Sequence, residues 1–150
     1  MSLHAVIEDP RGSTRRHAWD PDAGVWREWE HPHARAPWPV SYGFLEDTHN
    51  PADGDPLDVM VLATRTLATG TRLAVRVVGL LPRPDGDHKA LAVALDDPAY
   101  GHLRRLSDVP RNDLAAVERW FAAWSTIDGW EDERAAAAVV VAAGGSPGNS

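Results

Sequence analysis

The 150-residue chain is 43% hydrophobic and 25% charged, the balance of one soluble globular domain with a sizeable core. Its net charge of −7 argues against nucleic acid or an anionic membrane as a partner, although bound cations would still let it take an anionic substrate. It has no cysteine, no apolar run of the ~18 residues that span a membrane and no basic-then-apolar leader, so thiol chemistry and a membrane helix are excluded and the cytoplasm is expected.

Residues 4–8 read as a short strand ended by Pro10 and Gly12. Residues 15–20 and 25–30 read as two strands, and Pro21-Asp22-Ala23-Gly24 between them suits a hairpin turn. Residues 31–39 hold three prolines and two histidines and are expected to be irregular. Tyr42-Gly43-Phe44 opens another extended piece. Residues 57–63 form a strand, and 71–81 a longer one with Leu73, Val75 and Val77 on one face and Arg72 and Arg76 on the other. Asp85-Gly86-Asp87 is a turn before a strand at 89–95. From there the period changes. Leu114, Val117, Phe121 and Trp124 mark an amphipathic helix over 111–125. An alanine-rich helix over 131–143 is stopped by Gly144-Gly145, leaving a single domain at 1–143 and a disordered tail at 144–150. Strands first and helices last predict an α+β fold. Periodicity alone does not predict a barrel.

The chemistry concentrates in Asp53-Gly54-Asp55-Pro56-Leu57-Asp58, which runs straight into Val59-Met60-Val61-Leu62. Gly54 and Pro56 place Asp53 and Asp55 on a turn. Asp58 opens an apolar strand, where an unpartnered charge costs several kcal/mol. Crowded carboxylates repel unless cations sit between them, so the run points to hard divalent ions such as Mg²⁺ or Ca²⁺ held by oxygen. An EF-hand loop fails by position: counting from Asp53, position 4 is Pro56, position 5 is Leu57 and position 12 is Thr64.

Asp-Gly-Asp-Pro-Leu-Asp before an apolar strand resembles the signature of family I soluble inorganic pyrophosphatases. Three further segments agree in order. Val6-Ile7-Glu8-Asp9-Pro10-Arg11-Gly12-Ser13 resembles that family's opening strand and turn. Pro39-Val40-Ser41-Tyr42-Gly43-Phe44 resembles its Pro-x-Asn-Tyr-Gly-Phe segment, with Ser41 for Asn. Asp128-Gly129-Trp130 resembles its Glu-Gly-Trp element. The resemblance covers about residues 4–143.

The resemblance implies a small, closed, five-stranded OB-like barrel with two C-terminal helices packed outside. It implies Mg²⁺-dependent hydrolysis of inorganic diphosphate, with Mn²⁺ as a substitute, in a cytoplasmic homo-oligomer that in bacteria is often a hexamer. By the same resemblance Asp53, Asp58 and Asp87 cradle the metals, with Asp58 bridging two ions. Asp85 binds a metal that arrives with substrate, and Glu8 holds one through water. Asp55 is the general base, and Arg16, Lys89 and Tyr42 contact substrate. Taken alone, Asp85 and Asp87 suit a polar turn, Glu8 a solvated carboxylate, Tyr42 a core position and Arg15-Arg16 an exposed basic pair.

Departures from the family gather on the substrate side. Ala18 stands for a glutamate, Glu30 for a phosphate-binding arginine, Trp38 for a tyrosine, and Trp124-Ser125 for a Tyr-Lys pair that closes over the leaving phosphate. The 85–89 loop is about three residues shorter and lacks one acidic residue. Arg11, Arg27 and Arg35 are candidate replacement cations. Seven tryptophans suit core packing or a more apolar pocket that stacks an organic diphosphate or nucleotide. Hydrolysis of another phosphoanhydride, or binding without catalysis, are therefore the alternatives. The seven histidines, His31 among them, have no metal-ligand spacing and are expected on the surface or in loops.

Overall fold

Leu3, Ala5 and Ile7 fall on one side of the extended segment Leu3-His4-Ala5-Val6-Ile7-Glu8-Asp9, and β1 (Leu3–Asp9) buries every second side chain, Asp9 included, and leaves the others partly exposed. In the computed structural model, which describes residues 3–32 and 36–146, six strands follow. They are β2 (Arg15–Asp20), β3 (Val25–Glu30), β4 (Ser41–Leu45), β5 (Asp58–Leu62), β6 (Arg72–Leu81) and β7 (Lys89–Ala94). A 3₁₀ turn (Leu106–Asp108) then leads to α1 (Arg111–Ala122) and α2 (Glu133–Ala142).

Five strands close a barrel in the order β1-β4-β5-β7-β6, while β2 and β3 form the expected hairpin as a separate two-stranded ribbon. All barrel pairs are antiparallel except β5–β7, which is parallel. The α+β class, the closed five-stranded barrel and the two C-terminal helices are thus as expected.

β5 and β7 are buried on both faces, which is why they read as unbroken apolar runs. Val59, Val61, Ala90 and Ala92 point into the barrel, where they pack with larger side chains such as Ile7, Leu45 and Leu80, and α2 caps that interior with Ala136 and Val140. Met60, Leu91 and Val93 point outward and pack with Val117, Trp120 and Phe121 of α1. Each fully buried Val, Leu or Phe contributes about 1.5–3 kcal/mol, so this double layer anchors the start of both strands.

Four features differ from expectation. A register shift between Val77 and Gly79 reverses the alternation of β6, so Leu80 returns to the interior and Leu81 joins the outer layer. Arg76 is buried, donating Nη1 to the carbonyls of Gly101 (2.8 Å) and Leu103 (2.9 Å). The last helix begins at Glu133 rather than 131 because Glu131 exchanges backbone hydrogen bonds with Leu80 and Asp132 caps the helix through Arg134 N and Ala135 N. The first helix ends at Ala122, short of 125. Of the expected tail, residues 147–150 lie outside the described residues, as do His33 and Arg35. No helix among the described residues is long and apolar enough to cross a membrane.

Candidate functional site

The parallel register of β5 and β7 sets Asp58 beside Lys89. The loops that precede these strands carry Asp53-Gly54-Asp55 and Asp85-Gly86-Asp87, so both acidic turns arrive at one end of the barrel. The turns are built alike. Asp53 Oδ1 accepts a hydrogen bond from Asp55 N at 2.9 Å, and Asp85 Oδ1 from Asp87 N at 2.9 Å. Their central glycines have φ of 79° and 83°, the left-handed region that a side chain makes costly. Asn50 Nδ2 links the loops by donating to Gly86 O at 3.3 Å.

At the centre, Lys89 Nζ lies 2.6 Å from Asp58 Oδ2 and 2.7 Å from Asp87 Oδ2. The Tyr42 hydroxyl donates to the same Asp58 oxygen at 2.7 Å. Lys89 is only 7% exposed, so the pairing offsets a large desolvation cost. Burial first, and then the charge of Asp58, push the Tyr42 phenol well up, which keeps it a proton donor. The Asp87 carboxyl is also raised, mainly by burial and further by Asp58, against the opposing pull of Lys89.

Glu8 projects from the partly exposed side of β1. Its carboxyl is pushed up to about 7 by burial, against the pull of Arg16, with the charges of Asp58, Asp9 and Asp55 adding to the rise. The negative charge of this end is thus only partly offset by Lys89 and Arg16. An all-oxygen donor set with surplus negative charge fits a hard divalent cation. Among the described residues no three carboxylates or histidines converge closely enough to enclose such an ion as they stand, and Lys89 lies between Asp58 and Asp87.

A cavity of about 170 Å³ opens here. Arg16, Tyr42, Asp58, Asp87 and Lys89 line one side, and His31, Trp38, Trp120, Phe121 and Trp124 the other. Arg16 is held by Asp9, whose Oδ2 lies 3.3 Å from Nη1. Asp9 is fully buried and also accepts from His17 N (2.7 Å), with His17 Nδ1 3.0 Å away, so one carboxylate ties the ribbon to the barrel and positions Arg16. Trp38 is 3% exposed and stacked between Tyr42 (4.4 Å, 17°) and Trp120 (3.7 Å, 19°). Both of its faces are covered, so it packs the core wall and offers no stacking surface to a planar ligand.

The expected site residues divide accordingly. Tyr42, Asp58, Asp87, Lys89 and Arg16 converge on the cavity. Asp53, Asp55 and Asp85 are exposed on the two turns and do not line it, and Glu8 stands on the neighbouring strand. Two candidate replacement cations are committed elsewhere. Arg11 donates to the carbonyls of Ala63 (2.8 Å) and Thr64 (2.9 Å), and Arg27 pairs with Asp20 at 2.8 Å. Glu30 is exposed, opposite Arg15 at the end of the ribbon. His31, expected to be peripheral, is 9% exposed and packs edge-on against Trp120 at 5.6 Å.

Sequence reasoning missed Asp9 and Arg83. The signal for Asp9 was a charged residue at an inward position of an alternating strand. Arg83 had no local signal.

The family model described as inorganic pyrophosphatase matches residues 5–144. The inorganic pyrophosphatase of Thermus thermophilus is 36% identical over 148 residues, covering 89% of this chain and 83% of its own. That of Leifsonia xyli is 34% identical over 148 residues, covering 91% and 90%. Among solved structures, the inorganic pyrophosphatase of Thermus thermophilus matches with a TM-score of 0.83 at 34% identity, over 95% of this chain and 89% of that one. That of Ehrlichia chaffeensis matches with a TM-score of 0.84 at 26% identity, over 95% and 93%.

Proposed function

The chain belongs to the inorganic pyrophosphatase family, and on that premise we propose how its own residues divide the work. The enzyme hydrolyses inorganic diphosphate to two phosphates, and the family is metal-dependent. The observation that carries the assignment of roles is the parallel β5–β7 register, which delivers two acidic turns and a buried lysine to one end of the barrel.

Asp53, Asp58, Asp85, Asp87 and Glu8 would hold divalent cations, for which oxygen donors favour Mg²⁺, with Mn²⁺ able to substitute. When bound, such ions neutralise phosphate oxygens and acidify water. Asp55 takes the proton from the attacking water. The water oxygen bonds to one phosphorus, the bridging P–O bond breaks, and the second phosphate leaves with the electron pair. Lys89 and Arg16 hold phosphoryl oxygens by charge. Tyr42, kept protonated by burial, donates its hydroxyl to the same group. Asp9 acts indirectly, by fixing Arg16 over the cavity. A homo-oligomer, hexameric as in many bacteria, belongs to the same proposal and rests on the resemblance alone, and a cytoplasmic location on the sequence pattern.

Phosphate release from diphosphate with Mg²⁺, with Mn²⁺ and with chelator tests this, beside a nucleoside triphosphate and an organic diphosphate. Turnover of diphosphate at ~1–10³ s⁻¹, highest with Mg²⁺ and lost with chelator, is expected. Faster turnover of the organic substrate would move the site to the other phosphoanhydride chemistry.

A further inference from the structure

We propose that Arg83 is a substrate-binding residue of this enzyme, holding the departing phosphate at the rim of the cavity from a seat on Ser125 and Phe121. Arg83 lies in the β6–β7 loop, the same loop that carries Asp85 and Asp87. Its backbone N–H donates to His88 Nδ1 at 2.8 Å, which closes the loop and fixes the base of the side chain. The guanidinium reaches the end of α1. Nη2 donates to Ser125 Oγ, Nη1 donates to Thr126 O at 3.4 Å, and the guanidinium carbon stands 5.3 Å from the centre of the Phe121 ring. Phe121 itself lines the cavity with Lys89 and Arg16.

What sets Arg83 apart from the cations that line the cavity is the neutrality of its partners. Lys89 is shared by two carboxylates, Arg16 is paired with Asp9, and Arg27 with Asp20. Among the described residues Arg83 meets a hydroxyl, a carbonyl and an aromatic face. None of these cancels its charge. A guanidinium presents five N–H donors in a rigid fork that matches phosphate oxygens, and these contacts leave several of them available. The ring beneath restricts the side chain at little cost. The departing group of diphosphate gains negative charge as the bridging bond breaks, so a fixed cation there lowers the barrier selectively.

The placement also accounts for Ser125, which stands where the resemblance implies a lysine. The chain brings a cation to that spot from the shortened β6–β7 loop rather than from position 125. This inference rests on the diphosphate reaction stated above.

The test compares wild type with Arg83→Ala, Arg83→Gln and the double variant Arg83→Ala/Ser125→Lys. It measures kcat/KM for diphosphate, binding of the non-hydrolysable methylenediphosphonate by calorimetry, and thermal melting. Arg83→Ala is expected to lower kcat/KM ~10²-fold and to weaken methylenediphosphonate binding. Arg83→Gln, which keeps a polar side chain without the charge, should behave like the alanine variant. Lysine at 125 should recover most of the loss. Activity and binding unchanged in Arg83→Ala would overturn the proposal, as would a glutamine variant that matches wild type. A loss that lysine at 125 does not recover, with melting unchanged, would overturn it too. If wild type released no phosphate, the diphosphate reaction would fail as a reading, while methylenediphosphonate binding by the same variants would still decide the role of Arg83.

Discussion

The wall of the cavity that carries Asp58, Asp87 and Lys89 hangs on a parallel strand pair, whereas the facing wall is assembled from a helix end and the loop after β3. Hydrogen-bonded register fixes the first wall. Asp58 and Lys89 are neighbours because β5 and β7 are, and moving either would break a ladder buried on both faces. The second wall has no such constraint. Its side chains reach the cavity from separate segments, so a group removed at one position is replaceable from another. The acidic wall is therefore fixed in place, and the opposite side tolerates exchange: Trp38 fills the core wall, while Arg83 on Ser125 and the exposed Glu30 stand outside the lining.

The largest effect should come from breaking the fixed wall. Lys89→Met leaves Asp58 and Asp87 facing each other without their shared cation. Phosphate release should fall at least ~10²-fold. Denaturant unfolding without divalent cation should show a loss of about 3 kcal/mol, because one partner of a buried pair is gone. Added Mg²⁺ should recover stability but not turnover.

Glu8 gives a smaller, pH-dependent effect beside the same wall. Its carboxyl is raised to about 7 in the folded chain from an ordinary value near 4.5. Folding therefore favours its protonated form. The contribution to stability is complete below about pH 4.5 and is lost as pH rises through about 7. Without divalent cation, wild-type melting temperature should drop over that window by more than that of Glu8→Gln. Excess Mg²⁺ should remove the difference between them. Equal pH profiles would mean that Glu8 is not under this electrostatic pressure.

The smallest effect belongs to the exchangeable wall. Glu30→Arg restores the charge that the resemblance implies, yet Glu30 is exposed and outside the cavity lining. Its kcat/KM for diphosphate should stay within about tenfold of wild type, since a solvated charge contributes little. A hundredfold gain would show that position 30 reaches the substrate after all.

The same contrast explains what could be read from the sequence. The acidic motif was legible because charge inside an apolar strand breaks a local rule and demands a partner. The hairpin was legible from Pro21 to Gly24. Barrel closure was not, because alternation in β1 and apolar runs in β5 and β7 specify faces, not neighbours. The start of α2 was missed by two residues because Glu131 pairs with Leu80, a contact distant in sequence. Asp9, His31 and Arg83 acquire their places only through tertiary contacts with Arg16, Trp120 and Ser125. No pattern within their own segments announced those partners.

The central claim is that Asp55, on the turn before the acidic wall, takes the proton from the attacking water, and steady-state phosphate release from diphosphate with saturating Mg²⁺, wild type beside Asp55→Asn, tests it most directly. Asp55 is exposed on its turn, so the variant should melt like wild type. Loss of the base should lower kcat ~10²–10⁴-fold. An Asp55→Asn enzyme that turns over at the wild-type rate would contradict the account.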